Sequence, residues 1–385
     1  MIVFVQPFGL NSSGGGPRIL RALLQDAPEP VLSVCGGVWP PPPTSVSEEL
    51  FIPSRPNFGR IETTRFARYL NCVLPVFQQG FREKLQQACR QNQARAIHAI
   101  PQGMEFWHAY QVAQKLGLAY YLNVHDDLTY GLEGQPHLTQ ALEALGQAWL
   151  GAAGRLVISE EMGQEYCRRY GRREYAVVTD GLCALPAQPR PRASSRLRVY
   201  FGGALHLSYQ PNVERLMQAL ARLKQQQPER AISLVCRGSS IPSRLGIAVD
   251  NRPWASEAEV VQDLEDVDLL YLPLPFAKRY EAFYRFSLST KMVTYLGSGL
   301  PILYHGPADA AAGRLLSRHE AAVSVTTLEP AAFAQALAAA ADTDAVVKNA
   351  LRLGRQQFML EDQRRTFWNM VGREPVDIKT VCAQQ

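Results

Sequence analysis

Residues Arg285 to Pro307 read RFSLSTKMVTYLGSGLPILYHGP, and the fold turns on how this stretch is understood. Ser289 or Thr290 can cap a short helix, because a hydroxyl there accepts from the free N–H groups of the first turn. Met292, Val293 and Leu296 form an apolar stripe at helical spacing. Gly297 and Gly299 end the helix, Pro301 forbids its return, and Ile302, Leu303 and Tyr304 predict the next strand. Lys291 falls in the first turn, where a cation opposes the helix dipole. Its place makes sense if an anion docks there, and a phosphate is the usual one. The plain alternative is a surface lysine on an ordinary α/β helix, and these residues alone do not choose between the two.

The run S-T-K-M-V-T-Y-L-G-S-G-L-P-I resembles the donor-site helix of GT-B glycosyltransferases of the large retaining "group 1" family, usually written P-S-K-x-x-E-Y-x-A-x-G-x-P-V. Ser289, Lys291, Tyr295, Leu296, Gly299 and Pro301 are in register with it. Thr294 stands where the family has the glutamate that binds the nucleotide ribose, and Phe286 stands where its first glutamate is expected. The two-glutamate signature is therefore absent. The resemblance covers most of the chain as a pattern, with sharp matches at residues 12–18, 125–127 and 289–301. It implies an α/β fold of two doubly wound Rossmann-like domains facing a cleft. It also implies a nucleotide-diphosphate sugar as co-substrate, with no cofactor and no metal. Donor-binding roles fall on Ser289, Thr290 and Thr294, and a catalytic role on Lys291.

Composition sets bounds. A chain of 385 residues is long for one core, so two domains are expected. Hydrophobic residues make up 46% and charged residues 19%, as in a soluble globular protein. The net charge is +5, and only 7 of the 40 cations are lysine. An arginine bias suits phosphate contacts, but this net charge is too small to argue for nucleic acid. The seven cysteines are scattered with no C-x-x-C pair, so neither a zinc site nor a disulfide framework is suggested. Buried thiols in a reducing cytoplasm are the expectation, with room for contact at a membrane surface. MIVFVQPFG lacks a basic leader region and reads as a first strand. The run from Ala141 to Ile158 is broken by Glu143, Gln147 and Arg155, which argues against a membrane span.

In the first half, a strand over Ile2 to Gln6 is followed by PFGLNSSGGGPRILRALL. The chain turns at Asn11 to Gly16, and Pro17 is expected to open a helix whose buried face is Ile19, Leu20, Leu23 and Leu24. Strand, glycine loop and helix in that order let backbone approach a phosphate. The spacing is not that of a dinucleotide fingerprint, and three glycines also make a plain tight connection. In the family this loop faces the donor diphosphate, and Gly14, Gly15 and Gly16 match it. Val31 to Cys35 predicts a second strand. Gly36 to Arg60, with four prolines at 40–43, reads as an irregular segment facing the acceptor. Helix is expected from about Thr63 to Gln93, interrupted at Pro75. A strand over Ala119 to Val124 then delivers His125, Asp126 and Asp127 at its carboxyl end, where open α/β sheets place ligands. In the family a strand followed by H-D supplies a histidine that faces the reacting sugar, and His125 matches it. A hydrogen-bonded structural histidine is the alternative. Asp126 and Asp127 read either as helix caps or, on an inverting route, as a base. Asp180 stands where the family's exit from the first domain has asparagine.

Cys183 to Arg196 is rich in Pro, Ala and Arg and reads as a linker. The alternation of strand and helix then restarts, with Gly202 and Gly203 opening a loop that ends at Asn212, a candidate helix cap. Many family members carry Arg and Lys in this loop, where Gly203 belongs to the donor site and this chain offers only His206. Arg237 and Arg285 are the candidate replacements, with ordinary solvated arginines as the alternative. Domain limits of 1–182, a linker at 183–196, 197–343 and closing helices at 344–385 that cross back to the first domain follow from this pattern. The function expected is transfer of a sugar from a nucleotide-sugar donor, with retention, to a glycan, lipid-linked or small-molecule acceptor. The rival is a GT-B-shaped protein that binds a nucleotide or glycan without transfer, as a subunit of an assembly. Its support is the missing glutamates at 286 and 294. Donor, acceptor and oligomeric state are not written in the sequence.

Overall fold

Strands buried from end to end on both faces belong to parallel sheets covered by helices on each side. Ile2–Gln6 and Leu269–Pro273 are of this kind, every residue being buried. The structure is a computed structural model and describes residues 1–56, 74–132, 138–191, 195–205, 207–340 and 344–372. The chain divides into two compact units, Met1–Asp180 with the chain from Asp362 on, and Gly181–Glu361.

The first unit holds strands β1 (Ile2–Gln6), β2 (Val31–Cys35), β3 (Glu48–Phe51), β4 (Ala96–Ala99), β5 (Ala119–Val124), β6 (Gly154–Val157) and β7 (Ala176–Val177). They pair in parallel in the order β3-β2-β1-β4-β5-β6-β7. The second unit holds β8 (Arg196–Gly202), β9 (Ala231–Arg237), β10 (Ala248–Arg252), β11 (Leu269–Pro273), β12 (Ile302–His305) and β13 (Val323–Val325), in the order β10-β9-β8-β11-β12-β13. In each sheet the order reverses beside the first strand, at β1/β4 and at β8/β11. Such reversals open a crevice at the carboxyl ends of the strands, where ligands bind.

The second sheet is packed on both faces. Helix Gln210–Gln226 sets Leu216, Met217, Leu220 and Leu223 against Val199, Phe201 and Leu234. Helix Thr290–Leu296 sets Met292, Val293 and Leu296 among Leu270, Leu272, Ile302 and Tyr304. Seven residues are too few for a helix to persist alone. Burying three such side chains, at about 1.5–3 kcal/mol each, is what holds it.

Several expectations are corrected. The segment from Gly36 is not wholly irregular, because β3 pairs with β2 from Leu32↔Glu48 to Cys35↔Phe51. Its Glu49 accepts from the Leu10 N–H and the Ser33 hydroxyl, each at 2.9 Å, which fixes an otherwise polar edge strand. β10 was likewise not expected. The first helix begins at Gly15, two residues ahead of Pro17. Asn212 is no cap. It lies inside helix Gln210–Gln226, and its amide donates to the carbonyls of Leu274 and His305, at 2.9 and 3.0 Å. The run from Ala141 resolves into helix Leu138–Gly151 followed by β6. Among the described residues no helix is long and apolar enough to cross a membrane. Helix Asp344–Gln357 belongs to the second unit, where Ala350 and Leu353 join the core of Leu296; only from Asp362 does the chain lie in the first. The helix expected from Thr63 lies outside the described residues up to 73 and continues as Leu74–Gln91; Pro75 does not interrupt it, since it sits in the first turn, where its missing N–H would have no helical partner. His206 and linker residues 192–194 also lie outside them.

Candidate functional site

In the second unit the loop after β8 and helix Thr290–Leu296, which precedes β12, bring Gly203 and Lys291 together. Gly203 has φ +105, which favours glycine, and a Cβ there would lie 3.3–3.5 Å from the last three atoms of the Lys291 side chain. The loop is tied down on both sides. Gly203 N–H donates to Arg237 O at 2.8 Å, while Ser239 Oγ donates to Gly203 O at 2.8 Å and accepts from Leu205 N–H at 2.7 Å. The Lys291 ammonium lies 4.6 Å from the Phe201 ring centre and 5.5 Å from that of Tyr209. Among the described residues Nζ has no hydrogen bond or ion pair. Burial pulls the ammonium down to about 8, from 10.5, with a small upward pull from the Cys236 thiol. Two rings return about 0.5–2 kcal/mol each, and the half-buried ammonium has no counter-ion among the described residues. The site is short of one negative charge.

Around it, Ser289 Oγ accepts from Lys291 N–H at 3.3 Å and caps the helix. Thr290 O accepts from Thr294 Oγ1 at 3.2 Å, so the Thr294 hydroxyl turns back along its own helix. A helix of seven residues has little dipole to offer, so the lysine, not the helix end, supplies the positive charge. Arg237 and Arg285, the other candidate cations, each have carboxylate partners. Arg237 gives Nε and Nη2 to Asp263 at 2.6 and 2.7 Å and Nη1 to Pro253 O at 3.1 Å. Arg285 gives Nη1 to Glu281 at 2.7 Å and faces Asp309 at 3.8 Å. Both are engaged by carboxylates.

In the first unit β5 ends at His125, which is 3% exposed, and neither ring nitrogen has a hydrogen-bond partner among the described residues. Burial pulls its imidazole down to about 4, so the ring is neutral near pH 7 and carries one donor and one acceptor, both unmet. Each unmet buried group costs about 1–3 kcal/mol, an outlay that asks for a ligand or a reason. The glycine loop is beside it, since a Cβ on Gly16 would lie 3.5 Å from His125 Nδ1 and 3.0 Å from the Phe8 ring. Gly14 stands at φ +121 ahead of helix Gly15–Leu24, and no side chain caps that helix. The Gly15 and Gly16 N–H groups meet no acceptor among the described residues. Asp127 is structural. Its carboxylate accepts from Thr129 N–H at 3.0 Å and from Arg169 Nη1 at 2.7 Å. Asp126 accepts from Gln102 Nε2 at 3.2 Å. Asp180 is buried and pairs with Arg18 at 3.0 Å.

His98, fully buried against Phe4 and Phe367, is lowered by the same cause to about 3, the His125 ring adding to it. Both rings are harder to protonate folded than unfolded, where the value is about 6.5. Their contribution to stability is therefore whole above about pH 6.5 and is lost as pH falls toward 4. The expected outcome is a melting midpoint that drops between about pH 7 and about pH 5. A flat profile over that range would contradict the neutral buried rings. The buried thiols of Cys35, Cys89 and Cys236 are pushed up to about 11, 12 and 11 by burial, which makes them inert.

No protein-family model matches the sequence, and no curated protein matches it. Solved structures do. The lipopolysaccharide outer core galactosyltransferase WaaB, in its apo form, is 14% identical with a TM-score of 0.63, over 96% of this chain and 99% of that one. A UDP-forming α,α-trehalose-phosphate synthase from Burkholderia xenovorans, in complex with glucose-6-phosphate, is 12% identical with a TM-score of 0.64, over 97% and 100%. The glycotransferase of kitacinnamycin is 14% identical with a TM-score of 0.55, over 96% and 97%. With two parallel sheets of seven and six strands covered by helices, the fold is GT-B, two Rossmann-like α/β domains. The neighbours named are glycosyltransferases.

Proposed function

We propose that this chain transfers a sugar from a nucleoside-diphosphate donor to an acceptor, with the anomeric configuration retained and without a metal. The observation that carries the reading is Lys291, an ammonium with no carboxylate partner, seated on Gly203 at the reversal point of the second sheet of a GT-B fold. As the glycosidic bond breaks, negative charge grows on the leaving diphosphate, and a cation fixed in advance there lowers the barrier. Ser289 and Thr290 supply hydroxyls at the same turn, and within the first unit the Gly14–Gly16 loop has backbone N–H groups of the kind that suit a phosphate. The diphosphate oxygen takes the proton of the acceptor hydroxyl, whose oxygen forms the new bond to the sugar on the face that the diphosphate leaves. His125, neutral and with both nitrogens unengaged, orients the sugar. The acceptor is a glycan, a lipid-linked sugar or a small molecule. The inert thiols fit a reducing compartment.

The test is a melting screen over UDP-, GDP-, ADP- and dTDP-sugars, followed by turnover with the one that stabilises, since a ligand of the folded state alone raises its stability. Stabilisation with turnover supports transfer. Stabilisation without turnover against a panel of acceptors supports a binding subunit, and Thr294 and Phe286 in the glutamate positions are what would favour it. A substitution probes the first of these positions. Thr294→Glu is expected to tighten donor binding roughly fivefold, because a carboxylate accepts from ribose hydroxyls more strongly than a neutral hydroxyl does. Titration of the two proteins decides it, and an unchanged or weaker affinity in a normally folded variant excludes the ribose from that position.

A further inference from the structure

We propose that Trp254 is the platform on which the donor's nucleobase stacks, an assignment that rests on Lys291 as the diphosphate site. Trp254 is 59% exposed, yet it is not loose. Its ring is backed by bare peptide, since a Cβ on Gly238 would lie 3.3–3.4 Å from three of the indole atoms. Gly238 has φ +79, a conformation that side chains other than glycine's rarely adopt. The two residues ahead of Trp254 are braced. Arg237 Nη1 donates to Pro253 O at 3.1 Å while its other two nitrogens grip Asp263. Arg252 also pairs with Asp263, and its carbonyl accepts from Gly238 N–H at 2.9 Å. A buried carboxylate shared by two arginines next to one aromatic explains what occupies Arg237. It holds the tryptophan in place.

The brace reaches the diphosphate site directly. Gly203, which touches Lys291, donates to Arg237 O, and Ser239, next after Gly238, bonds both Gly203 O and Leu205 N–H. Lys291, Gly203, Gly238 and Trp254 thus form one line of contacts along the carboxyl ends of β8 and β9. Two of the residues along it, Gly203 and Gly238, carry no side chain to obstruct a ligand. A flat apolar ring at one end and an unpartnered ammonium at the other match a nucleoside diphosphate. An indole already held rigid loses little freedom on binding, so the contact is not offset by ordering. Stacking uses the π-face that every base has, so purines and pyrimidines are both accepted at this ring.

Titrations of UDP, ADP and inorganic pyrophosphate into the full chain and its Trp254→Ala, Trp254→Phe and Lys291→Ala variants test this. Trp254→Ala should weaken both nucleotides about 10-fold or more and leave pyrophosphate within about twofold, while Trp254→Phe keeps most of the affinity. Nucleotide, but not pyrophosphate, should also quench an indole emission that is missing in Trp254→Phe. That second variant keeps the test open if the alanine form does not fold. If Trp254→Ala binds both nucleotides as the unaltered protein does, or loses pyrophosphate equally, the platform is wrong, and Lys291→Ala then shows separately whether the diphosphate site stands. Nucleotide loss in Trp254→Ala with none in Lys291→Ala supports the base platform and removes the lysine. An unaltered protein that binds no nucleotide overturns both.

Discussion

Replacing His125 by alanine is expected to lower kcat by roughly 10²-fold or more while leaving nucleoside-diphosphate affinity nearly unchanged. The reasoning starts from the ring's solvation. His125 is buried and neutral, with two nitrogens that meet nothing among the described residues. A group in that state is poised for a partner that arrives with the substrate. If that partner is the sugar, as proposed, the contact strengthens as charge develops, and such contacts appear in kcat rather than in binding. Nucleotide binding, which the proposed reading assigns to Lys291 and not to this ring, should not change. Removing a buried ring also leaves a cavity, so some loss of melting temperature accompanies the variant whatever its role. The deciding measurement is therefore turnover per folded molecule under saturating donor. A variant that folds and transfers sugar at the unaltered rate would remove His125 from the reaction.

Lys291→Ala carries the other large effect. A charge-assisted hydrogen bond to a phosphate oxygen contributes about 1.5–3 kcal/mol, which is about a 10- to 150-fold loss in nucleoside-diphosphate affinity. The pH dependence gives a second, sharper check. The free protein's ammonium sits at about 8, so it is charged below that pH and neutral above it. Donor affinity should then be highest below pH 8 and fall as pH rises through it, by up to about tenfold per unit. A bound diphosphate stabilises the charged form and moves the midpoint upward in the complex. Lys291→Arg, charged at every accessible pH, should flatten the profile even where its longer fork fits poorly. Unchanged affinity in Lys291→Ala, measured on folded protein, removes the lysine from the donor site.

Much of this was legible in the residues. Continuous apolar runs such as Ile2–Val5 and Ala119–Leu122 announce interior parallel strands, because both faces are covered. The edge strands EELF and AVDNR carry no such run; they are strands because backbone pairing with β2 and β9 makes them so. Lys291 stood out because glycines and a proline fence its helix within a dozen residues. Arg237 could not be understood the same way, since the partner that occupies it, Asp263, is 26 residues distant. Trp254 offered one aromatic in a polar loop, and the left-handed glycine that backs it lies in another loop altogether. What sequence periodicity conveys is burial; what it does not convey is which distant groups share a hydrogen bond.

The residues from Asp362 on complete the first unit, not the second. Phe367 is wholly buried, 6.2 Å from the Phe4 ring and 5.5 Å from His98. Trp368 gives its indole N–H to Leu23 O, and Gln363 accepts from Thr179 N–H. A ribosome delivers the earliest strands of that unit long before these partners exist. The half that is synthesised first must therefore wait with part of its core open, while the continuous segment Gly181–Glu361 has all its own contacts available and can mature ahead of it. Birth order and order of completion are reversed along this chain. A stop codon a few residues before Asp362 would remove very little mass and yet deprive the oldest part of the molecule of its final wall.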